Sequence, residues 1–415
     1  MLTRRKLAQA LSLPLTLAVA LLAFTSLKDA RAVSKEVIAS PSPGGSMPQL
    51  TREGGASAGA ISKVALATVD KGIVVTAVRD DGGDLKLIAW QVSGNTQGDL
   101  AGAQHILRKG DASGGAISKV ALAKVGQGLV VTAVRAGSGD LKLIAWSVSN
   151  DGAQIKRTGD ASAGPVSEVT IVSLDAYQFV TAVRDGGGDL KLVAWHITAD
   201  GKKFVRLGEA SAGAVSEVSV APTGCFDYNY CHEDMVTAVR DGSGNLKLIA
   251  WSVSKDGLQI ERKGDGSAGA ISKVETAYVT RVSDPGLTNP RAVVVTAVRD
   301  GGGNLKLINW YISATFQVER KWDSSAGAIS DVAVTMVGTP FATDRVITAV
   351  RDGGGNLKLI AWDDGSHQIV KEGEASASAI SEIAVDSVWG NYLVTAVRDG
   401  NGNLKLIGWK HSGPS

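Results

Sequence analysis

From residue 50 onward the chain repeats one pattern seven times, and only an architecture built of equivalent units accommodates that. The segment VTAVRDDGGDLKLIAW ends at Trp90 and returns, slightly varied, six more times. Its terminal Trp recurs as Trp146, Trp195, Trp251, Trp310, Trp362 and Trp409, which accounts for seven of the nine tryptophans. Its Arg recurs as Arg79, Arg135, Arg184, Arg240, Arg299, Arg351 and Arg398, at spacings of 56, 49, 56, 59, 52 and 47. A second recurring piece, of the type SAGAISKVALATV, stands before each copy.

Each unit reads as four strands. The first, as in AISKVALATV (60–69), is β-rich and apolar at alternate positions. The second (VVTAVRD) and third (DLKLIAWQV) flank a Gly-rich turn and form a hairpin. The fourth is short and polar, such as QIKRT (154–158) or QIERK (259–263). Strands two and three are apolar on both faces, as a small sheet covered on both sides requires. Helical periodicity is absent.

A period of about 50 with four strands per unit predicts a β-propeller, with an open β-solenoid as its competitor. The last unit stops after its third strand, NLKLIGW, while QLTRE (49–53) at the start matches a fourth strand without a unit of its own. The expectation is therefore an all-β, seven-bladed β-propeller of four-stranded blades, closed by an N-terminal strand that completes the last blade.

Over residues 49–409 the pattern resembles that of seven-bladed propeller repeat proteins, the group that includes WD40-like, kelch-like and lectin-type propellers. WD40 propellers share a turn Asp, a second-strand Ser/Thr, a third-strand Trp and a His before the first strand. Here Asp80, Thr76 and Trp90 match, and Ser57 stands where the His would be. Kelch repeats need a Tyr after a Gly pair; Gly82-Gly83 leads to Trp90 without one. The resemblance implies the fold and brings no partner class with it.

Residues 1–32 read as an export signal: Arg4, Arg5 and Lys6 precede an apolar run from Leu11 to Phe24, and Ala30-Arg31-Ala32 gives the cleavage pattern. The general secretory route is favoured over the twin-arginine one, and an uncleaved anchor is the competing reading. Residues 33–48 read as a flexible tether, leaving 49–415 as a single domain. The mature chain is expected to be secreted or periplasmic, a monomer, and not inserted in a membrane. Without its leader the chain carries 38 Lys/Arg (43 − 5) against 40 Asp/Glu (41 − 1). That balance leaves no basic excess to hold a nucleic acid. Cys225 and Cys231, the only cysteines, lie in one loop and predict a local disulfide; a metal site with His232 is the rival.

The turn Asp-Gly-x-Gly-Asn/Asp, as at Asp300 to Asn304, invites a calcium site but supplies too few oxygens. No cofactor is expected. Positive φ in a tight turn explains its glycines more simply. The hairpin Arg and Lys, exemplified by Arg299 and Lys306, allow two readings. They form a repeated pocket for an anionic or polyhydroxylated ligand, or they pair with neighbouring turn carboxylates and dock blade to blade. The seven hairpin tryptophans are expected to pack between blades. Ser62 and its equivalents read as hydrogen-bonding residues on the innermost strand, not nucleophiles. The five histidines occupy unrelated places and support no catalytic set.

The loops between first and second strands break the symmetry and concentrate the unrepeated aromatics. Tyr177, Tyr228, Tyr230 and Trp389 are the ligand-binding candidates there, suited to stacking on a sugar or docking a peptide. The functional expectation is an exported, non-enzymatic binding propeller for glycans or for cell-surface and extracellular proteins. The alternatives are a propeller-fold hydrolase or oxidoreductase with a central-channel site, and a purely structural surface protein. Catalytic residues are assigned to none of these positions.

Overall fold

Runs of Val, Ile, Ala and Leu on both strand faces need cover on both sides, and the fold supplies it by stacking sheets around a ring. A computed structural model describes residues 49–412 apart from 71, 94–104, 224–233, 280–289, 339–344 and 366–367. The expected export signal, tether and Cys225–Cys231 disulfide lie outside the described residues, as do Tyr228 and Tyr230. Residues Ser46–Ser415 form one compact unit.

The chain enters with β1 (Gln49–Asp70), β2 (Ile73–Asp80) and β3 (Asp84–Ser93). The second unit is β4 (His105–Gly126), β5 (Leu129–Ala136) and β6 (Asp140–Val148). The third is β7 (Ile155–Asp175), β8 (Gln178–Asp185) and β9 (Asp189–Ile197). The fourth is β10 (Phe204–Pro222), β11 (Met235–Asp241) and β12 (Asn245–Val253). The fifth is β13 (Ile260–Val279), β14 (Pro290–Asp300) and β15 (Asn304–Ser313). The sixth is β16 (Val318–Val337), β17 (Arg345–Asp352) and β18 (Asn356–Gly365). The last is β19 (Gln368–Trp389), β20 (Tyr392–Asp399) and β21 (Asn403–Ser412).

Sequence reading separates the polar fourth strand of one unit from the first strand of the next. The structure fuses them. In β4, residues 105–116 pair with β3 and residues 117–126 pair with β5. One long strand thus ends one blade and begins its neighbour, and all pairings are antiparallel. Each blade therefore has four strand segments drawn from three strands of its own unit and the next long strand.

The ring closes as the terminal segments predict. Residues 49–60 of β1 pair with β21, with Leu50 opposite His411 and Arg52 opposite Trp409, while residues from Ile61 on pair with β2. The first long strand therefore completes blade 7 and opens blade 1. The seam is thereby built like the other six blade junctions.

Between blades the apolar faces form seven clusters, each joining strands of two neighbouring blades. The tryptophans are buried there: Trp146 of blade 2 meets Val75, Ala77 and Leu87 of blade 1. A buried indole N–H needs an acceptor, and the second-strand Thr supplies it in every blade. Trp90 donates to Thr76 at 3.0 Å and Trp251 to Thr237 at 2.9 Å, and the other five repeat this bond. The sequence-predicted packing role of the tryptophans is what the structure shows.

Candidate functional site

The Gly-rich hairpin turn is a docking device. In blade 5, Gly303 donates its N–H to the Asp300 carbonyl, and the Asp300 carboxylate accepts from the N–H groups of Gly302 and Asn304. Gly303 sits at φ +84°, and a Cβ there would also lie 3.0 Å from the Arg299 guanidinium. Its carbonyl, turned outward, accepts the N–H of Ile329 in blade 6 at 2.9 Å. Arg299 Nε donates to the carbonyl of that same Ile329 at 2.6 Å, and its Nη1 donates to Ser272 Oγ at 2.8 Å.

That pair of inter-blade bonds recurs at every interface. Arg79 reaches Ile117, Arg135 Val166, Arg184 Val215, Arg240 Ile271 and Arg351 Ile380. At the seam, Arg398 reaches Ile61, whose own N–H donates to Gly402. The arginines therefore dock blade to blade, but through backbone carbonyls, with a serine of their own blade steadying the guanidinium, not through turn carboxylates as the sequence suggested. We expect Arg299→Lys to destabilise by about 2 kcal/mol in chemical unfolding, because an ammonium cannot bond both acceptors in this fork.

Six of the seven hairpin lysines find carboxylates on the fourth strand instead. Lys306 lies 3.0 Å from Asp323, which also holds Arg320 at 2.8 Å. Beside these groups the same cavity recurs. In blade 3 it measures about 420 Å³ and is lined by Gly164, Pro165, Val183, Asp185, Lys191 and Arg206. In blade 1 the corresponding residues are Gly59, Ala60, Val78, Asp80, Lys86 and Arg108, and in blade 6 Gly327, Ala328, Val350, Asp352, Lys358 and Lys371. An apolar wall, a small-residue crossover and two cations with a carboxylate meet at each. This arrangement can hydrogen-bond hydroxyls while a ring face lies on the wall.

On the opposite face the candidates are spread out. Tyr177, in blade 3, adopts φ +68° and packs in the cluster of Val125 and Leu129. Trp389 lies in blade 7, its ring 5.4 Å from that of Tyr392, over which Lys410 Nζ sits at 5.5 Å. The structure does not bring Tyr177 and Trp389 together. Beside the Trp389 strand, Arg345 is buried between Glu372 (2.7 Å) and Asp363 (3.1 Å), with His411 Nε2 3.7 Å from Glu372. Burial and the Arg345 charge hold the His411 pKa below its usual value. None of these four stands out in sequence, because each replaces a residue at an otherwise unremarkable repeat position.

The innermost strands carry unlike charges around the axis. Lys63 pairs with Glu382 at 2.6 Å, Lys119 with Glu168 at 2.7 Å and Lys273 with Glu217 at 3.3 Å. Burial raises the pKa of Asp331 in this ring. Two residues along from Lys273, Glu275 accepts a hydrogen bond from Ser219 Oγ at 2.9 Å. Burial, with help from the Asp331 and Glu217 charges, still raises its pKa from 4.5 to about 7.

A carboxyl whose folded pKa is raised keeps its proton longer in the folded state. Its contribution to stability is complete below about pH 4.5 and is lost as pH rises through about 7. Glu275→Gln should therefore stabilise the protein relative to the parent at pH 8 and scarcely at pH 4. The difference should be on the order of 2–3 kcal/mol. Denaturant melts at the two pH values measure it, and a pH-independent difference would refute the assignment.

No protein-family model matches the chain. No curated protein matches it either. Among solved structures, a triple arginine-to-alanine mutant of AofleA from Arthrobotrys oligospora is similar at 11% identity, over 81% of this chain and 92% of that one, with a TM-score of 0.52. Sqt1 of Saccharomyces cerevisiae is similar at 12% identity over 84% and 82%, with a TM-score of 0.48. A protein from Lactobacillus plantarum follows at 13% identity over 77% and 88%, with a TM-score of 0.46. At such identities likeness bears on fold alone. The strand pairing and the likeness to AofleA agree on that fold: the chain is a β-propeller of seven repeats.

Proposed function

We propose that this is an exported binding propeller that recognises glycans through its repeated blade pockets. The observation that carries the reading is the recurrence of one cavity, with the same lining, in blades 1, 3 and 6. Repetition of a shallow pocket with an apolar wall and a few polar groups on a rigid ring suits a ligand that itself repeats, since weak sites then act together. The charges that hold the ring together are already satisfied, so the scaffold needs no rearrangement to bind. Isothermal titration with a monosaccharide hit from a glycan array should give more than one site per chain and weak affinity. Binding to a dense glycan surface should be at least ~100-fold tighter. A single site of unchanged affinity on both would contradict the reading.

A second reading, docking of an extracellular protein on the loop face, draws support from Trp389, Tyr392 and Lys410. Under it Trp389→Ala abolishes binding while Lys191→Ala leaves it intact; under the glycan reading Trp389→Ala leaves binding intact and Lys191→Ala removes one of several sites.

A further inference from the structure

Six blades neutralise their hairpin lysine with a fourth-strand carboxylate that also holds the cation three residues before it. In blade 1, Asp111 takes Lys86 at 3.8 Å and Arg108 at 3.0 Å. Asp160 takes Lys142 and Arg157, Glu209 takes Lys191 and Arg206, and Asp265 takes Lys247 and Arg262. Asp323 and Glu374 do the same in blades 5 and 6.

Blade 7 keeps both cations and lacks the carboxylate. Strand register sets Gly55 opposite Ile407, where Asp111 stands opposite Ile88 and Asp265 opposite Ile249. Lys405 lies opposite Ser57 and Arg52 opposite Trp409, the places of Lys86 and Arg108 in blade 1. Neither Lys405 nor Arg52 has an ion pair among the described residues. The Arg52 guanidinium comes within 3.7 Å of where a side chain on residue 55 would begin. A second change falls in the same blade. Ser378 replaces the crossover glycine found as Gly59, Gly164 and Gly327 in the three cavities above. A Cβ at those glycines would meet nothing within 4 Å, and Ser378 is exposed.

We propose that blade 7 binds an oxyanion, a carboxylate or sulfate group, between Lys405 and Arg52, in the place that six blades fill with their own Asp or Glu. Lys405 and Arg52 supply charge-assisted donors, with Arg52 able to present two N–H groups to one anion. Ser378 adds a hydroxyl at the rim. The proposal stands independently of the glycan reading, since it concerns one blade and one missing charge. Because Lys405 is half-buried and Arg52 exposed, binding should be weak, on the order of millimolar, and weaker as salt rises.

The test is an NMR titration of the isotope-labelled full chain at constant ionic strength with sodium glucuronate, sodium sulfate, sodium acetate and glucose. The expected result is saturable shifts at Gly55, Ser378 and Lys405 with the anions and none with glucose. Saturation by glucuronate alone would identify a sugar carboxylate as the source. Saturation by sulfate and acetate as well would identify oxyanions in general. Lys405→Gln and Arg52→Gln should each weaken binding about tenfold or more. Asp111→Gly, which opens the equivalent position in blade 1, should raise the stoichiometry from one to two. Gly55→Asp should abolish binding, but its Cβ would stand 2.9 Å from the Leu406 carbonyl, so the gain of a site in Asp111→Gly carries the test if that variant does not fold. Shifts spread evenly over seven blades, no saturation, or a folded Asp111→Gly chain with one site would each overturn the proposal.

Discussion

Deleting residues 1–54 is expected to lower the melting temperature by roughly 10 °C or more, whereas deleting 33–47 should leave it unchanged. The first truncation strips blade 7 of the first half of its fourth segment, including the pairs from Gln49–Ser412 to Gly54–Gly408. It removes Leu50, which is 7% exposed and packs with Trp409 and Leu393. Burying that side chain is worth about 2 kcal/mol, and each lost ladder bond adds about 1 kcal/mol. The Ile61 bonds to Gly402 and Arg398 survive this deletion, so the ring is weakened at its seam without losing both links. Thermal melts followed by circular dichroism would measure both truncations. Equal effects from the two would contradict closure by the N-terminal strand.

Trp251→Ala should destabilise by about 3–5 kcal/mol, the usual cost of emptying a large aromatic site. Trp251 is 1% exposed and fills the interface with Val180, Leu190 and Leu192 of the preceding blade. The Thr237 hydroxyl would lose the donor it accepts from, adding a buried polar group without that partner. Trp251→Phe keeps most of the volume and loses the N–H, so it should cost less than half as much. Urea titrations of the three proteins would separate packing from the hydrogen bond. A Trp251→Ala chain as stable as the parent would remove the tryptophans from the account of what holds blades together.

Much of this is legible in the sequence, because repetition writes architecture into it. Seven Trp at one strand position point to packing, and the unmatched QLTRE segment points to completion of the last unit. Other features were hidden by the range of the interactions. Nothing local indicates that Arg299 bonds the carbonyl of Ile329, thirty residues away, because a main-chain acceptor leaves no side-chain signature. The fusion of fourth and first strands was hidden for a similar reason. The Ser-Ala-Gly-Ala crossover looks like a loop by composition, yet the ladder runs through it with register shifts, as between Ser57 and Ala60. The gap at Gly55 was visible in principle, since aligning the repeats shows Asp or Glu at the six equivalent positions. Its meaning depends on the pairing that sets Lys405 and Arg52 around it.

Closure of the ring by β1 underlies the whole account, including the proposed blade 7 anion site, and native-state hydrogen exchange tests it most directly. Peptides covering residues 49–60 should be protected as strongly as those covering 105–116 and 260–270, which make the equivalent pairings in blades 1 and 4. Exchange of residues 49–60 at the rate of an unstructured chain, while the other two segments stay protected, would contradict a ring completed by its own N-terminal strand.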